Sequence, residues 1–233
     1  LPISFRAEIA KNLGENEMNT PNDTLPICIA IPVSSIDQGI ELAQTAVEKR
    51  AQYIEFRIDY DLSVGSWSLS NYRTLVQSVS VPVILTMRKR GEGGQQDIEE
   101  QTRFEIISRC IQAKPTYVDV ESRIDKNILH RFYKEAAQNG VRLIYSYHDF
   151  HKTPPYEDSE GLFKEYLDKL PSFQNCPTDC SAIDDVVKFV FYANNDDDPD
   201  IPLKLCELAQ KRKLKIVSFC MGQFGIRSRI MCI

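Results

Sequence analysis

The run Tyr53-Ile54-Glu55-Phe56-Arg57-Ile58-Asp59 constrains the fold of this chain more than any other. Its β-branched and aromatic residues predict a strand. Side chains alternate across a strand, so Glu55, Arg57 and Asp59 share one face while Ile54, Phe56 and Ile58 share the other. The pattern recurs: Thr86 shares a face with Arg88, Asp119 with Glu121, and Ser146 with His148. Each polar pair sits near the C-terminal end of an apolar run.

Seven such runs are visible, at 27–33, 53–59, 81–88, 117–121, 143–150, 186–193 and 214–221. Between them, apolar residues recur at helical spacing. Ile36, Ile40, Ala43 and Val47 make one stripe, and Leu69, Tyr72, Leu75 and Val76 another. Ile128, Leu129, Phe132, Tyr133 and Ala136 make a third, stopped by Asn139-Gly140. Strand starts recur on average about every 30 residues, which suits βα units and a parallel sheet. A central strand of an open parallel sheet is covered on both faces and is apolar on both. A barrel strand turns one face to the helices and can aim charges into the interior, near the mouth where βα barrels carry their sites. Four half-polar strands exceed the two edges of an open sheet. The expectation is an α/β chain of the (β/α)8 TIM-barrel type, with seven strands visible and the eighth strand and C-terminal lid missing. Residues 1–24 read as a polar N-terminal arm, and 25–233 as the barrel domain.

Composition places the chain among ordinary globular proteins, 42% hydrophobic and 26% charged. A formal net charge of -5 argues against nucleic acid as a partner. No apolar run approaches the roughly 20 residues that span a bilayer, which argues against a membrane partner. Of the seven cysteines, Cys28, Cys110, Cys206 and Cys220 lie in apolar patterns and read as small core residues. Cys176 and Cys180 have no second pair to complete a metal site. A reduced cytoplasmic protein without a metal is expected.

The chemistry is concentrated in two strands. Lys188 sits within Val186-Val187-Lys188-Phe189-Val190-Phe191-Tyr192. A buried ammonium is costly unless it is paired or loses its proton, and a neutral amine attacks carbonyl carbons. Lys188 therefore either carries imine chemistry or sits in an ion pair with Asp119 or Glu121. His148 closes the strand Leu143-Ile144-Tyr145-Ser146-Tyr147-His148 and is placed to move protons, whereas His130 falls in a charged helix facing solvent. The glycines of Arg88-Lys89-Arg90-Gly91-Glu92-Gly93-Gly94 allow a tight loop that brings Arg88 and Glu92 over the mouth. Arg227 and Arg229 follow the seventh run and read as a carboxylate clamp or as surface charge. Asn194 to Asp198 lacks the glycine and distal glutamate of a calcium loop and reads as a polar turn. Pro171 to Ser181 reads as an irregular loop.

Taken in order, these segments resemble the type I 3-dehydroquinate dehydratases, Schiff-base lyases of the shikimate pathway. The resemblance runs from about Ile27 to the C-terminus and rests on six segments. They are Glu55 to Asp59, Thr86-Met87-Arg88 with Glu92-Gly93-Gly94, Tyr117 to Glu121, Ser146 to Phe150 with Thr153-Pro154, Lys188, and Met221-Gly222 through Ser228-Arg229. It implies that Lys188 forms an imine with the C3 ketone of 3-dehydroquinate. It implies that His148 removes the C2 proton and assists loss of the C1 hydroxyl, and that Glu92 orients His148. Glu55, Arg57 and Arg88 would bind the substrate hydroxyls and Arg229 its carboxylate. It further implies no cofactor, a small-molecule substrate, a homodimer and a cytoplasmic location. The family continues past Ser-Arg with a last strand and a loop containing a Ser-Ala-Pro-Gly-Gln-like motif, and its segment between the histidine and the lysine is shorter than here. A class I aldolase shares the lysine chemistry but does not account for Arg57, Arg88 and Arg229. A non-catalytic relative would not need both Lys188 and His148.

Overall fold

A computed structural model describes residues 27–173, 180 and 183–231. The N-terminal arm and Cys176 lie outside these residues. Seven strands form one parallel sheet in sequence order: β1 (Cys28–Pro32), β2 (Tyr53–Arg57), β3 (Val83–Thr86), β4 (Tyr117–Glu121), β5 (Arg142–His148), β6 (Val186–Tyr192) and β7 (Ile216–Met221). Helices α1 (Ile36–Glu48), α2 (Leu69–Gln77), α3 (Glu100–Gln112), α4 (Lys126–Asn139), α5 (Tyr156–Lys169), α6 (Asp200–Lys211) and α7 (Ile226–Met231) complete the βα alternation. The result is a curled, TIM-barrel-like sheet. Among the described residues β1 and β7 are its edges and no eighth strand joins them.

The seven runs expected from the sequence are the seven strands, most of them trimmed by one or two residues at an end. β2 stops at Arg57, because Ile58–Tyr60 turns into a 3₁₀ segment, and β3 stops at Thr86, so Arg88 lies beyond its strand. The three helical stripes are α1, α2 and α4. Local chemistry sets their ends. Ser35 accepts the Gln38 amide at the start of α1, and Asp125 accepts the Asn127 amide at the start of α4. Gly140 ends α4 in the left-handed conformation, at φ 69°. The run Asn194 to Asp198 is a turn in which Asn195 Oδ1 accepts the amides of Asp197 and Asp198.

Alternation divides the core in two. Outward residues of the strands, among them Ile54, Phe56, Leu85, Val118, Tyr145, Val187 and Phe189, pack with helix residues such as Leu75, Ile107, Phe132 and Phe163 into one large cluster. Inward residues at the base of the sheet, Ile84, Tyr117 and Ile144 with Tyr53 and Val186, form a small separate cluster. One layer higher on the same inner face lie Glu55, Thr86, Asp119, Ser146 and Lys188. The apolar neighbours of Lys188 in sequence, Val187 and Phe189, therefore face the helices, and its own side faces polar groups.

Two expectations fail at the edge and on a helix. Cys28 is exposed rather than a core residue, since β1 has a neighbour on one side only. Ile29 and Val217, on the two edge strands, are also exposed, at 37% and 38%. His130 is half-buried on α4 instead of fully solvent-facing. No helix of the described residues is long and apolar enough to cross a membrane.

Candidate active site

The polar inner layer is a charge lattice built strand by strand. Lys188 Nζ on β6 lies 3.3 Å from Asp119 Oδ2 on β4 and 3.6 Å from Glu55 Oε2 on β2. The ion pair with Asp119, one of the two readings open for this lysine, is present. Arg88 donates to the same Asp119 oxygen at 2.8 Å and to Ser146 Oγ at 2.6 Å. Ser146 in turn donates to Asp119 Oδ1 at 2.6 Å, and Thr86 donates to Glu55 Oε1 at 2.7 Å. Arg88 is only 2% exposed and Asp119 2%. Burying such ions costs several kcal/mol each unless geometry and hydrogen bonds repay it, and here every carboxylate faces a cation. Burial opposes ionisation of Asp119, but the Arg88 and Lys188 charges outweigh it and hold the carboxyl well below its usual range.

Above this layer sits the histidine. His148 is the last residue of β5 and its neighbour in register on β6 is Val190, two residues beyond Lys188. Glu92 ends a 3₁₀ turn, Arg90–Glu92, in the loop after β3. Its Oε2 accepts the His148 backbone N–H at 3.3 Å and lies 3.4 Å from the ring Nδ1. That nitrogen is buried and has no hydrogen-bond partner among the described residues. Burial, then the Arg88 and Lys188 charges, push the imidazole well below its ordinary pKa. Burial, then the charge of Glu121, push the Glu92 carboxyl up to about 7. The mouth thus holds a neutral imidazole beside a carboxyl that titrates near neutrality, an arrangement chemically able to pass a proton. The Phe150 ring stacks on His148 at 6.1 Å between centroids and covers Gly93.

Arg57, at the end of β2, forks onto Asp59 at 2.7 and 2.8 Å and reaches the Gly93 carbonyl at 3.0 Å, beside Glu92. The structure thus links Lys188, Glu55, Arg88, Arg57, Glu92 and His148 around one opening. Arg229 stands apart from that lattice. It is exposed, and it donates to the carbonyls of Cys220 at 3.2 Å and Gly222 at 2.9 Å, at the C-terminal end of β7.

Several members of the lattice were not singled out by sequence reasoning as site residues. Asp119 and Glu121 were visible as an inward pair, and Ser146 as the face-mate of His148, but nothing marked Asp119 as the shared partner of two cations. Arg103, which donates from α3 to Glu121 Oε2, left no signal, because a Glu100/Arg103 pair on a helix looks like a surface contact.

A family model for type I 3-dehydroquinase matches residues 27–233. The chain belongs to the type I 3-dehydroquinase family. It is 36% identical over 193 residues to the 3-dehydroquinate dehydratase of Thermococcus gammatolerans, covering 82% of this chain and 81% of that protein. It is 30% identical over 206 residues to that of Pyrococcus abyssi, with 88% and 82% covered. The crystal structure of 3-dehydroquinate dehydratase from Geobacillus kaustophilus superposes with a TM-score of 0.74 at 18% identity, over 90% of this chain and 79% of that one, a likeness of fold. As a type I 3-dehydroquinase the chain is an enzyme of the dehydration step of the shikimate pathway, and its substrate is a small molecule.

Proposed function

We propose that this type I 3-dehydroquinase dehydrates 3-dehydroquinate through a lysine imine, with Lys188 as the nucleophile and His148 as the acid and base. The observation that carries the reading is the position of Lys188. It is an inward amine on the wall of the barrel, one layer below a neutral imidazole. Glu55, 3.6 Å away, is the carboxylate that takes its ammonium proton, while Asp119 stays ionised beside it. The freed amine adds to the C3 ketone, and the carbinolamine hydroxyl leaves as water by taking back the proton passed to the carboxylate, which gives the protonated imine. His148 takes the C2 proton, and the C–H electron pair flows into the imine, giving an enamine. The enamine pair then expels the C1 oxygen, which leaves as water with the proton His148 holds. Hydrolysis of the remaining imine releases 3-dehydroshikimate and restores Lys188. Protonated imines act as electron sinks, and an imidazole can move the proton both ways at neutral pH.

In this reading Glu92 holds His148 in place, through the backbone bond and its approach to Nδ1. Arg57, Arg88 and Glu55 meet substrate hydroxyls. Arg229 meets the carboxylate from the end of β7, where its exposure leaves it free to turn. The homodimer and the cytoplasmic location implied by the resemblance belong to the same proposal, and sedimentation tests the first of them. Kinetics of single variants test the chemistry. Lys188→Ala abolishes turnover, and His148→Ala lowers kcat by about 10²–10⁴-fold, the usual contribution of a general acid–base group. An active His148→Ala with an inactive His151→Ala would transfer the role to His151.

A further inference from the structure

Outside the barrel, one helix residue is wired to the catalytic loop. Arg103 on α3 is 1% exposed and donates from Nη1 to Glu121 Oε2 on β4. The other oxygen of Glu121 accepts the backbone N–H of Lys89 at 2.6 Å. Arg103 also forks onto Glu100 at 2.8 and 3.1 Å, and Glu100 lies 3.5 Å from Lys89 Nζ. Lys89, Glu121, Arg103 and Glu100 therefore close a ring that ties the first turn of α3 to one residue, Lys89. The loop hangs from that residue. The Lys89 carbonyl accepts the amides of Glu92 and Gly94, both at 2.9 Å, and Glu92 reaches the His148 backbone. Every link from Arg103 to His148 is a hydrogen bond or a single turn of chain.

We infer that Arg103, acting through Glu121 and Lys89, is a positioning residue that sets where Glu92 stands against His148. This rests on the proposed roles of Glu92 and His148 and adds to them a control exerted from outside the barrel. Two physical features favour it over a purely structural role. First, the ring runs from Arg103 through Glu121, the last residue of β4, to the residue that starts the 3₁₀ turn, so a shift at Arg103 is passed to Glu92. Second, Glu121 faces Glu92 as a charge, together with Arg88, Arg123 and Asp119, and His148 sits beside it. With Arg103 gone, Glu121 keeps Arg88, at 3.7 Å, as its one cationic partner among the described residues, so the field on Glu92 changes as well.

The test is a set of variants in the full-length protein. Arg103→Met is expected to lower kcat by about 10- to 100-fold, the scale of a misplaced catalytic group, with KM within threefold of the parent. In a Glu92→Gln background the same substitution is expected to change kcat less than about twofold, since non-additivity marks a shared path. Arg103→Lys restores part of the activity. Should Arg103→Met fail to fold, Glu100→Gln opens the ring at its half-exposed corner and is expected to fold and lose about two- to fivefold in kcat. Equal losses from Arg103→Met in both backgrounds, or a folded Glu100→Gln with parental kcat and pH profile, would overturn the inference. Parental kcat in Glu92→Gln alone would instead overturn the assignment of Glu92.

Discussion

Lys188 Nζ and Asp119 Oδ2 are 3.3 Å apart, and the same oxygen accepts Arg88 at 2.8 Å. One carboxylate thus balances two buried cations. Replacing it with an amide leaves Lys188 with Glu55, at 3.6 Å, and Arg88 with Glu121, at 3.7 Å, as the remaining carboxylates among the described residues, and removes the nearest one from both. Asp119→Asn is expected to destabilise the fold by about 3–5 kcal/mol, the cost of breaking a buried pair from one side. For a chain of this size that lowers the thermal midpoint by about 10 °C. Calorimetry of the parent and variant checks it, and an unchanged midpoint would mean the lattice is better hydrated than its burial implies.

Glu92 makes stability fall as pH rises. Its carboxyl titrates near 7 in the folded protein against an ordinary 4.5. Between those values the folded state holds a proton that the unfolded chain releases. Stability therefore drops through that window, by up to about 3 kcal/mol. Glu92→Gln removes the effect, so the midpoint of the variant minus that of the parent should climb from pH 4.5 to about 7 and then level off. A difference independent of pH would show that Glu92 is ordinary.

Gly93 is pinned by backbone and by ring. Its φ is 84°, and a methyl group there would stand 2.1 Å from Phe150 Cζ. Gly93→Ala is expected to cost about 1–3 kcal/mol, since a non-glycine residue in the left-handed region is strained even where space allows. Adding Phe150→Ala should return the steric part and leave the φ part. Denaturant midpoints across the four-member cycle measure this, and strict additivity would remove the contact between the two residues from the account.

The sequence made the sheet legible because its signal is local: seven apolar runs with period-two alternation show both where strands lie and which face is polar. Arg57, Arg88, Glu55 and Lys188 could be placed at one opening on that ground. Residues whose role depends on distant partners could not. Arg103 pairs with Glu121, 18 residues away on another element, and within α3 it looks like half of a surface ion pair. Cys28 reads as core by pattern, yet its strand is an edge, and strand order is not a local property. Lys188 reads as an isolated charge because its sequence neighbours are apolar, while its spatial neighbours, Asp119 and Glu55, come from strands far back in the chain. The 3₁₀ turn that lifts Glu92 depends on Lys89, whose amide is held by Glu121 rather than by any turn residue.

The central claim is that Lys188 forms the covalent intermediate, and chemical trapping addresses it directly. The protein is incubated with 3-dehydroquinate, reduced with borohydride, digested and analysed by mass spectrometry. A reduced ligand adduct is expected on the peptide that contains Lys188, absent without substrate and absent in Lys188→Ala. An adduct on Lys152 or Lys164, or full turnover in Lys188→Ala, would contradict it.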